Sequence, residues 1–419
     1  MVMPHPSASS PSPPVIVIGA GLSGLCCALR LHEAGRDVTV FDQHDRVGGR
    51  IATDVQDGFL LDRGFQVLLT SYPEVRARLD LDALALAAFR SGSAIQTNKG
   101  VRVIADPFRE PWTAIQSLLS GTLSLRDALR AYRLRRALLS HPPATGSAND
   151  ILKGSGISES LQASFFRPFF QGVTLDPDLA VPADYFAFLF RMFATGAATL
   201  PRDGIGAIPR QLAAGLKPGS VRLKTAVRAA RARHVVLADG THVDAAAVIV
   251  ATEGSAAADL AGTPPPSGHR ATTCVYFAVA GPPPFTPRLL LLNGTGSGTA
   301  LHVCVPSVIQ ASYAPPGHHL VSATVLGDAS EDVHNKVRAD LRAWFGDTVD
   351  EWQHLRNSAV PRALPVLGPS GAVMSRPGFE RAQNGVVVCG DHLATPSIQG
   401  AMLAGRNAAE EVLRETAAG

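Results

Sequence analysis

The stretch Val15–Gly24, which reads VIVIGAGLSG, opens the part of the chain that can fold. Its four β-branched residues predict a buried parallel strand, and the glycines that follow have the spacing GxGxxG. At that spacing glycine allows a tight turn, a close approach of the backbone to a pyrophosphate, and close packing of a helix on the strand. A helix over Leu22–Ala34 would direct its positive N-terminal end at the phosphates. The stretch therefore predicts a dinucleotide-binding site.

A second predicted strand, Asp37–Phe41, ends in the acidic residue Asp42. Residues 25–41 separate Asp42 from the last glycine of the turn, and a carboxylate at about that distance along the chain can reach ribose hydroxyls. Gly48, Gly49 and Arg50 follow, where adjacent glycines let backbone amides approach an anion and arginine offers a fork of donors to phosphate. A surface turn with a solvated arginine is the alternative for this last segment.

Composition limits the class of protein. With 419 residues, of which 46% are hydrophobic, the chain predicts a large core and two domains. A net charge of +3 is too small to indicate nucleic acid, and the longest apolar run, residues 185–200, is interrupted by Arg191. Residues 1–14 are rich in Pro and Ser and predict a disordered arm. The five cysteines form no CxxC pair, which favours a cytoplasmic protein, and no clustered ligands predict a metal site.

Residues 71–199 predict a mostly helical region with a basic amphipathic helix over Leu118–Leu139. Its apolar positions are Leu125, Leu129 and Tyr132, and arginines recur beside them at helical spacing, namely Arg126, Arg130, Arg133 and Arg136. Such a helix can rest on an anionic membrane, as a peripheral contact, or can be a solvated face.

Phenylalanine is concentrated in a short part of the same region. A core and the wall of an apolar cavity are both compatible with this cluster. The residues are Phe165, Phe166, Phe169, Phe170, Phe186, Phe188, Phe190 and Phe193.

The C-terminal half predicts a strand-rich meander from Ser220, a mixed sheet within 272–326, and a last buried strand near 385–391. Asp391 would lie at the carboxyl end of that strand, where open α/β sheets place ligands. A helix from about Ala401 to Arg414 would direct its N-terminal amides back toward the same ligand.

Taken in this order, these segments resemble the flavin amine oxidase superfamily, which includes monoamine oxidases, protoporphyrinogen oxidases and phytoene desaturases. The resemblance spans nearly the whole chain after residue 14 and implies FAD as the cofactor. The segments that carry it are Val17–Gly24, Asp42–Arg50, Pro201–Gly206, Gly390–Asp391 and Ser397–Gly400.

The resemblance also implies roles for individual residues. Asp42 takes the place of the usual glutamate on the adenosine ribose, and Val227 presents its backbone to the adenine. Gly49 and Arg50 meet the phosphates and the isoalloxazine side. The pyrophosphate turn and the helix start beside it comprise Gly19, Ala20, Gly21, Leu22, Ser23 and Gly24.

The C-terminal segments supply the remaining implied cofactor residues. Gly390 and Asp391 would bind the ribityl or pyrophosphate region, and Ile398 with Gln399 would lie near the pyrimidine edge of the flavin. His392 follows directly and is a candidate acid or base, with a hydrogen-bonded loop histidine as the alternative. Weaker candidates from the presumed cavity segments are Tyr185, Tyr276 and Arg167.

Three departures from the amine oxidases bear on the substrate. No cysteine stands where some of them link the flavin covalently, so we expect non-covalent FAD. The strand Thr272–Val279 contains no lysine, and residues 392–399 contain no tyrosine for an aromatic amine cage. We therefore expect hydride transfer from an apolar substrate, such as an isoprenoid, polyene or porphyrin-like molecule, with the electron acceptor unspecified.

Other functions stay open at this point. One is a flavin amine oxidase that produces peroxide, and another is a non-catalytic escort protein of the same fold. Plain NAD(P) binding at Gly19–Gly24 is a further alternative, which the C-terminal flavin segment disfavours.

The predicted fold class is α/β, with a Rossmann-like FAD-binding domain of the GxGxxG type interleaved with a mixed-sheet and helical substrate domain. The FAD-binding domain would comprise residues 15–70, 200–263 and 370–419. The substrate domain would comprise residues 71–199 and 264–369.

Overall fold

The computed structural model describes residues 13–143, 145–327, 330–368 and 373–418. Residues 1–12 of the predicted disordered arm lie outside the described residues, as do residues 370–372 and 419 of the predicted C-terminal FAD-binding segment.

The strands of the described residues belong to five sheets. In chain order they are β1 (Val15–Ile18), β2 (Val38–Phe41), β3 (Thr53–Gln56), β4 (Phe59–Asp62), β5 (Leu68–Leu69), β6 (Ala87–Ala88), β7 (Gly92–Thr97), β8 (Gly100–Ala105), β9 (Ala198–Leu200), β10 (Val221–Arg222), β11 (Val227–Arg231), β12 (His234–Leu237), β13 (His242–Asp244), β14 (Ala247–Val250), β15 (His269–Ala280), β16 (Leu290–Asn293), β17 (His302–Cys304), β18 (His318–Leu326), β19 (Gln353–Pro365), β20 (Phe379–Arg381) and β21 (Val387–Cys389).

The helices lie mainly between these strands and in the region 111–195. In chain order they are α1 (Leu22–Glu33), α2 (Pro73–Arg78), α3 (Pro111–Leu119), α4 (Leu125–Ser140), α5 (Ala148–Gly154), α6 (Glu159–Leu161), α7 (Arg167–Thr174), α8 (Ala183–Thr195), α9 (Ala207–Ala214), α10 (Gly254–Ala261), α11 (Pro306–Ile309), α12 (Val333–Phe345) and α13 (Ile398–Ala418).

A six-stranded sheet with the order β10-β2-β1-β14-β21-β20 forms the base of the nucleotide-binding motif. Its strands β10, β2, β1, β14 and β21 run parallel, and β20 closes one edge antiparallel to β21. The valine and isoleucine side chains of β1 are buried because helices and strands cover both faces of a parallel sheet. The carboxyl ends of the five parallel strands therefore meet along one edge, which is where such sheets bind ligands.

A second, mixed sheet has seven strands in the order β19-β15-β18-β17-β16-β7-β8. The pair β16 and β7 is parallel and every other neighbouring pair is antiparallel. The mixed sheet expected within residues 272–326 is confirmed, but it extends further along the chain. Strands from residues 92–105 and 353–365 complete its two edges.

Two predicted helix boundaries were wrong. The helix expected over Leu118–Leu139 is two helices, α3 and α4, because the Ser124 hydroxyl caps a new helix by accepting a hydrogen bond from Asp127 N. The last helix begins at Ile398 and not near Ala401, since the Ser397 hydroxyl accepts a hydrogen bond from Gly400 N at 3.0 Å.

The strands of the six-stranded sheet come from residues 15–41, 221–250 and 379–389, all within the segments predicted to form the FAD-binding domain. Helices α3 to α8 and the seven-stranded sheet come from the segments predicted to form the substrate domain. The division of roles between the two sets of segments stays a prediction.

None of the helices in the described ranges combines the length and the apolar character that a bilayer crossing requires.

Candidate functional site

One large cavity of about 1160 Å³ connects the carboxyl edge of the six-stranded sheet with the helical region. Pockets for a single drug-sized ligand occupy about 300–1,000 Å³, so this cavity has room for a large cofactor and for part of a second molecule. Its wall includes both the glycine turn after β1 and phenylalanines of α7 and α8.

The turn after β1 brings backbone amides and the first turn of α1 to the cavity. Gly21 is the N-cap residue of α1, and neither a side-chain cap nor an acidic residue in the first turn neutralises that helix end. A methyl group placed on Gly24 would come within 1.8 Å of the Gly19 carbonyl oxygen, so helix and strand pack too closely for any larger residue. The positive terminus of this helix therefore faces the cavity without a side-chain cap, which suits a phosphate.

Asp42 stands beside this turn at the end of β2. One of its carboxylate oxygens accepts a hydrogen bond from Ala20 N at 2.7 Å, and the other accepts from His44 N at 2.9 Å. The His44 ring nitrogen Nδ1 lies 2.9 Å from that second oxygen. These contacts hold the carboxylate at the cavity wall, beside the glycine turn that is predicted to bind the dinucleotide.

Arg50 and Asp391, which are far apart in sequence, form an ion pair at the middle of the cavity wall. Arg50 Nη2 donates to Asp391 Oδ1 at 2.7 Å, and Nη1 donates to the Ala363 carbonyl oxygen at 2.7 Å. The Asp391 side chain is buried, whereas the arginine side chain is one third exposed. The pair joins the loop after β2 to the turn after β21 and to β19.

Most of the predicted cofactor residues line the cavity. The wall includes Gly19, Gly21, Leu22, Ser23, Asp42, Gly49, Arg50, Val227, Gly390, Asp391 and Ile398.

Three of the predicted cofactor residues do not lie on the cavity wall. Ala20 and Gly24 lie behind the turn, where Ala20 contacts Asp42 and Gly24 packs on β1. Gln399 is also absent from the cavity wall, and its place at the pyrimidine edge of the flavin stays a prediction. Its side-chain oxygen instead accepts a hydrogen bond from Glu74 N at 2.8 Å, which ties α13 to α2. Ile398, the first residue of α13, lines the cavity and Gln399 does not.

The candidate acid or base His392 also lies off the cavity wall. Its ring packs against Gly390 and Gly254, its Nδ1 is buried without a partner, and burial lowers the pKa of the imidazole. The placement agrees with the alternative of a loop histidine, although the hydrogen bond expected for one is absent at Nδ1 among the described residues.

Of the weaker candidates, only Tyr185 lines the cavity, and its hydroxyl donates to the Pro396 carbonyl oxygen at 2.7 Å. The Tyr276 hydroxyl donates to the Asp62 carbonyl oxygen behind the wall. Arg167 bonds the Asn149 side chain at 3.2 Å, outside the cavity. None of the three is free to move a proton within the cavity in this arrangement.

Asp62 is the most perturbed carboxyl group near the site. Burial raises its pKa from 3.8 to about 6, although hydrogen bonds from Thr53, Tyr313 and Ile205 N act in the opposite direction. The Tyr313 hydroxyl donates to Oδ2 at 2.8 Å and Ile205 N donates to Oδ1 at 3.0 Å. Asp62 precedes the cavity residues Arg63 and Gly64, so this network fixes the loop that forms part of the wall.

The phenylalanine cluster is divided between core and cavity, which confirms both parts of the expectation. Phe186 and Phe188 are buried in the core, and Phe188 stacks on Tyr72 with ring centroids 6.1 Å apart. The cluster members that line the cavity are Phe165, Phe166, Phe169, Phe170, Phe190 and Phe193.

Some residues that line the cavity were not predicted from the sequence. Ala251, Thr252 and Glu253 follow β14, and their place at the carboxyl end of a parallel strand could have indicated them. Residues 362–364 of β19 and His302 of β17 gave no comparable signal, because only the mixed sheet brings them to the cavity.

Comparison with known proteins agrees with this arrangement. The pattern of the family described as flavin containing amine oxidoreductase matches residues 22–413, and the chain therefore belongs to that family. It is a flavin-dependent oxidoreductase.

Relatives differ in the substrates that their names indicate. The chain is 28% identical to phytoene dehydrogenase of Streptomyces griseus over 366 residues, which are 73% of this chain and 71% of that protein. It is 29% identical to protoporphyrinogen oxidase 2 of Arabidopsis thaliana over 166 residues, 39% of this chain and only 31% of the plant protein. An oxidoreductase from Methanosarcina mazei has the same fold, with a TM-score of 0.73 at 21% identity over 96% of this chain and 99% of that one.

The residues at the sheet edge fit a flavin dinucleotide. A methyl group built on Gly21 would meet no atom within 4 Å, so this backbone faces open space at the N-terminus of α1. A pyrophosphate in that space could accept hydrogen bonds from the turn, and the Asp42 carboxylate could accept them from ribose.

Proposed function

We propose that the chain binds FAD non-covalently and transfers hydride to it from an apolar substrate, of an isoprenoid, polyene or porphyrin-like class. The observation that carries this proposal is the continuity of one cavity from the glycine turn to a wall of phenylalanines. When bound, the flavin would supply the redox chemistry, and an electron acceptor of unspecified identity would restore its oxidised form.

The nucleotide end supports FAD in an extended orientation along the sheet edge. The α1 terminus suits the pyrophosphate, Asp42 suits the adenosine ribose, and Val227, which lines the cavity, would present its backbone to the adenine. Arg50 and Asp391 would hold the ribityl and flavin side, because their ion pair fixes both side chains at the cavity wall.

Non-covalent binding is supported by the cysteines. All five are buried, and none of them is among the described residues that line the cavity. Cys389 lies next to Gly390, but burial raises the pKa of its thiol to about 12, so a nucleophilic thiolate is disfavoured there.

The substrate end supports an apolar molecule. Six phenylalanine side chains of the cluster form its wall, and such a surface favours apolar groups and excludes water from the reacting carbon. Strand β15, which contributes Thr272 to the wall, contains no lysine, so an amine oxidase of the usual kind is less well supported.

The experiment is spectroscopic. The purified protein should show flavin absorbance, and acid precipitation should release all of the flavin into the supernatant if binding is non-covalent. Anaerobic bleaching is then followed with three substrate classes, namely carotenoids, porphyrinogens and amines. Bleaching by a carotenoid or a porphyrinogen supports the proposal, whereas bleaching by amines alone overturns it.

We propose further that α3 and α4 rest on an anionic lipid surface. Trp112, Ile115 and Leu119 share one exposed face of α3, and Leu119 is 83% exposed. On α4 the side chains of Leu125, Leu129 and Tyr132 form an exposed stripe, whereas Leu134 and Leu138 are buried. The exposed stripe therefore does not contribute to the hydrophobic core. Exposed arginines flank the stripe and suit anionic headgroups, namely Arg126, Arg133 and Arg136.

The apolar face adjoins the cavity. Phe108 and Tyr132 are both partly exposed and line the cavity, and their rings stack with centroids 6.1 Å apart. Lipid contact at this face would bring an apolar substrate to the cavity without passage through water, which links the surface to the proposed chemistry.

Vesicle sedimentation tests the lipid contact. The protein should pellet with vesicles that contain phosphatidylglycerol and less with pure phosphatidylcholine, and added salt should weaken the binding. Replacing Trp112 and Leu119 by Ser should abolish pelleting, while replacing the exposed Val55, far from this face in sequence, should not. Equal pelleting of all three proteins would contradict the proposal.

A further inference from the structure

The cavity wall contains a residue with one buried ring nitrogen that has no hydrogen-bond partner in the described part of the protein. Five side-chain nitrogen or oxygen atoms of the described residues are buried without a hydrogen-bond partner, and only one of them, Nδ1 of His302, belongs to a residue that lines the cavity. His302 is 3% exposed. Because an unpaired buried polar group destabilises a fold, its position in a binding cavity indicates a partner that arrives with a ligand.

The surroundings of His302 leave a space built for its ring. It stands on β17 opposite Thr324 of β18, and its ring meets Phe65 edge to face with centroids 5.5 Å apart. On the other side lies Gly172 of α7, where a methyl group would come within 2.4 Å of Nε2. Only glycine at position 172 leaves room for the imidazole, which therefore lies between Gly172 and the ring of Phe65.

Two polar neighbours on the same wall already use their donors within the protein. The Thr272 hydroxyl donates to the Val325 carbonyl oxygen at 3.0 Å. The Gln66 amide donates to two backbone carbonyls, at 3.0 and 2.9 Å. The donors of these two side chains are therefore not available to a ligand, whereas Nδ1 of His302 has no partner.

The ring is neutral at physiological pH, since burial lowers its pKa to about 4. A neutral imidazole has one donor and one acceptor nitrogen and pairs with a hydroxyl, a carbonyl or an N–H group. A half turn about the Cβ–Cγ bond exchanges Nδ1 with Cδ2 and breaks no hydrogen bond at Nδ1. A carboxylate is a poorer partner, because pairing with it would favour the charged ring.

We propose that the imidazole of His302 binds a neutral polar group of the substrate, so that the substrate is an apolar molecule with a hydroxyl, carbonyl or N–H group and not a bare hydrocarbon. The inference rests on the apolar substrate proposed above and narrows it. A pure hydrocarbon polyene would leave the imidazole unpaired on binding, whereas an oxygenated polyene or a pyrrole-containing molecule would not.

The test compares two probes that differ by one hydroxyl group, β-carotene and β-cryptoxanthin. Their dissociation constants for the flavin-loaded enzyme are measured in detergent by quenching of protein fluorescence. The wild type should bind β-cryptoxanthin about 3- to 10-fold more tightly, the range expected of one neutral hydrogen bond. His302→Phe should bring this ratio close to 1, while His302→Gln, which keeps a neutral donor and acceptor, should retain part of the preference.

The control is His234→Phe, on β12 and outside the cavity wall, which should leave the ratio unchanged. A second readout follows the histidine Cε1 resonances, where the resonance missing in His302→Phe should shift with β-cryptoxanthin and not with β-carotene. An unchanged ratio in His302→Phe, or an equal loss of both probes with flavin still bound, would overturn the assignment. Failure of the wild type to bind either probe would overturn the inference for a polyene substrate, whereas the proposed function would fall only if porphyrinogens also left the flavin unbleached.

Discussion

Gly21 and Gly24 of the first turn have different roles. Replacing each by alanine should therefore separate an effect on cofactor affinity from an effect on folding stability. Gly21 faces open space at the cavity, whereas Gly24 faces backbone. A methyl group at Gly24 would lie 1.8 Å from the Gly19 carbonyl oxygen, far inside the ~3.5 Å of an ordinary carbon contact. No side-chain rotation can relieve an overlap with backbone, so strand and helix must separate.

The expected magnitudes follow from these contacts. Gly24→Ala should lower the free energy of unfolding by at least the ~1–3 kcal/mol typical of overpacking, and should weaken flavin binding as a consequence. At Gly21, φ is −73° and ψ is 179°, which alanine adopts without strain. Its gain of ~0.4–1 kcal/mol from a less flexible unfolded chain roughly offsets the weaker N-cap, so the stability of the flavin-free protein should stay near wild type.

The assay is urea unfolding of the flavin-free proteins, followed by titration of each with FAD. Gly21→Ala should unfold at the wild-type urea concentration and bind FAD at least tenfold more weakly, because the methyl group occupies the space that the pyrophosphate needs. Wild-type FAD affinity in Gly21→Ala, or wild-type stability in Gly24→Ala, would refute the argument.

Two further predictions concern buried carboxyl groups. The pKa of Asp62 is about 6 in the folded protein against 3.8 as the reference value, so the folded state binds more protons between these pH values. Asp62 should therefore lower the free energy of unfolding by about 3 kcal/mol as the pH rises from about 4 to about 6, with no further loss above that. Urea unfolding of wild type and Asp62→Asn across this range measures the difference, and parallel curves would contradict it. Arg50→Met leaves the buried Asp391 carboxylate without its cation, and because the arginine is one third exposed we expect a loss of about 1–3 kcal/mol. Adding Asp391→Asn should restore stability but not FAD affinity, and a double variant less stable than the single one would show that the pair is not the cause.

Much of the nucleotide end could be predicted from local sequence. The β-branched run before Gly19, the helix at Leu22 and the acid Asp42 all lie within about 30 residues, and strand, turn and helix there follow from local propensity and spacing. Other positions depend on tertiary contacts that such patterns do not record. Gln399 matches the motif but lies off the cavity wall, where its side-chain oxygen accepts a hydrogen bond from Glu74 N of α2.

The sequence by itself determined the class of this protein, because the glycine spacing, the acid and the C-terminal Gly390–Asp391 segment encode a flavin-binding fold in local geometry. Only the tertiary structure decided what faces the cavity. It joined Arg50 to Asp391 and placed His302, whose Nδ1 has no partner, against Phe65 on the cavity wall. The physical reason is that strand pairing and side-chain burial depend on partners hundreds of residues away, which no periodicity along the chain can record.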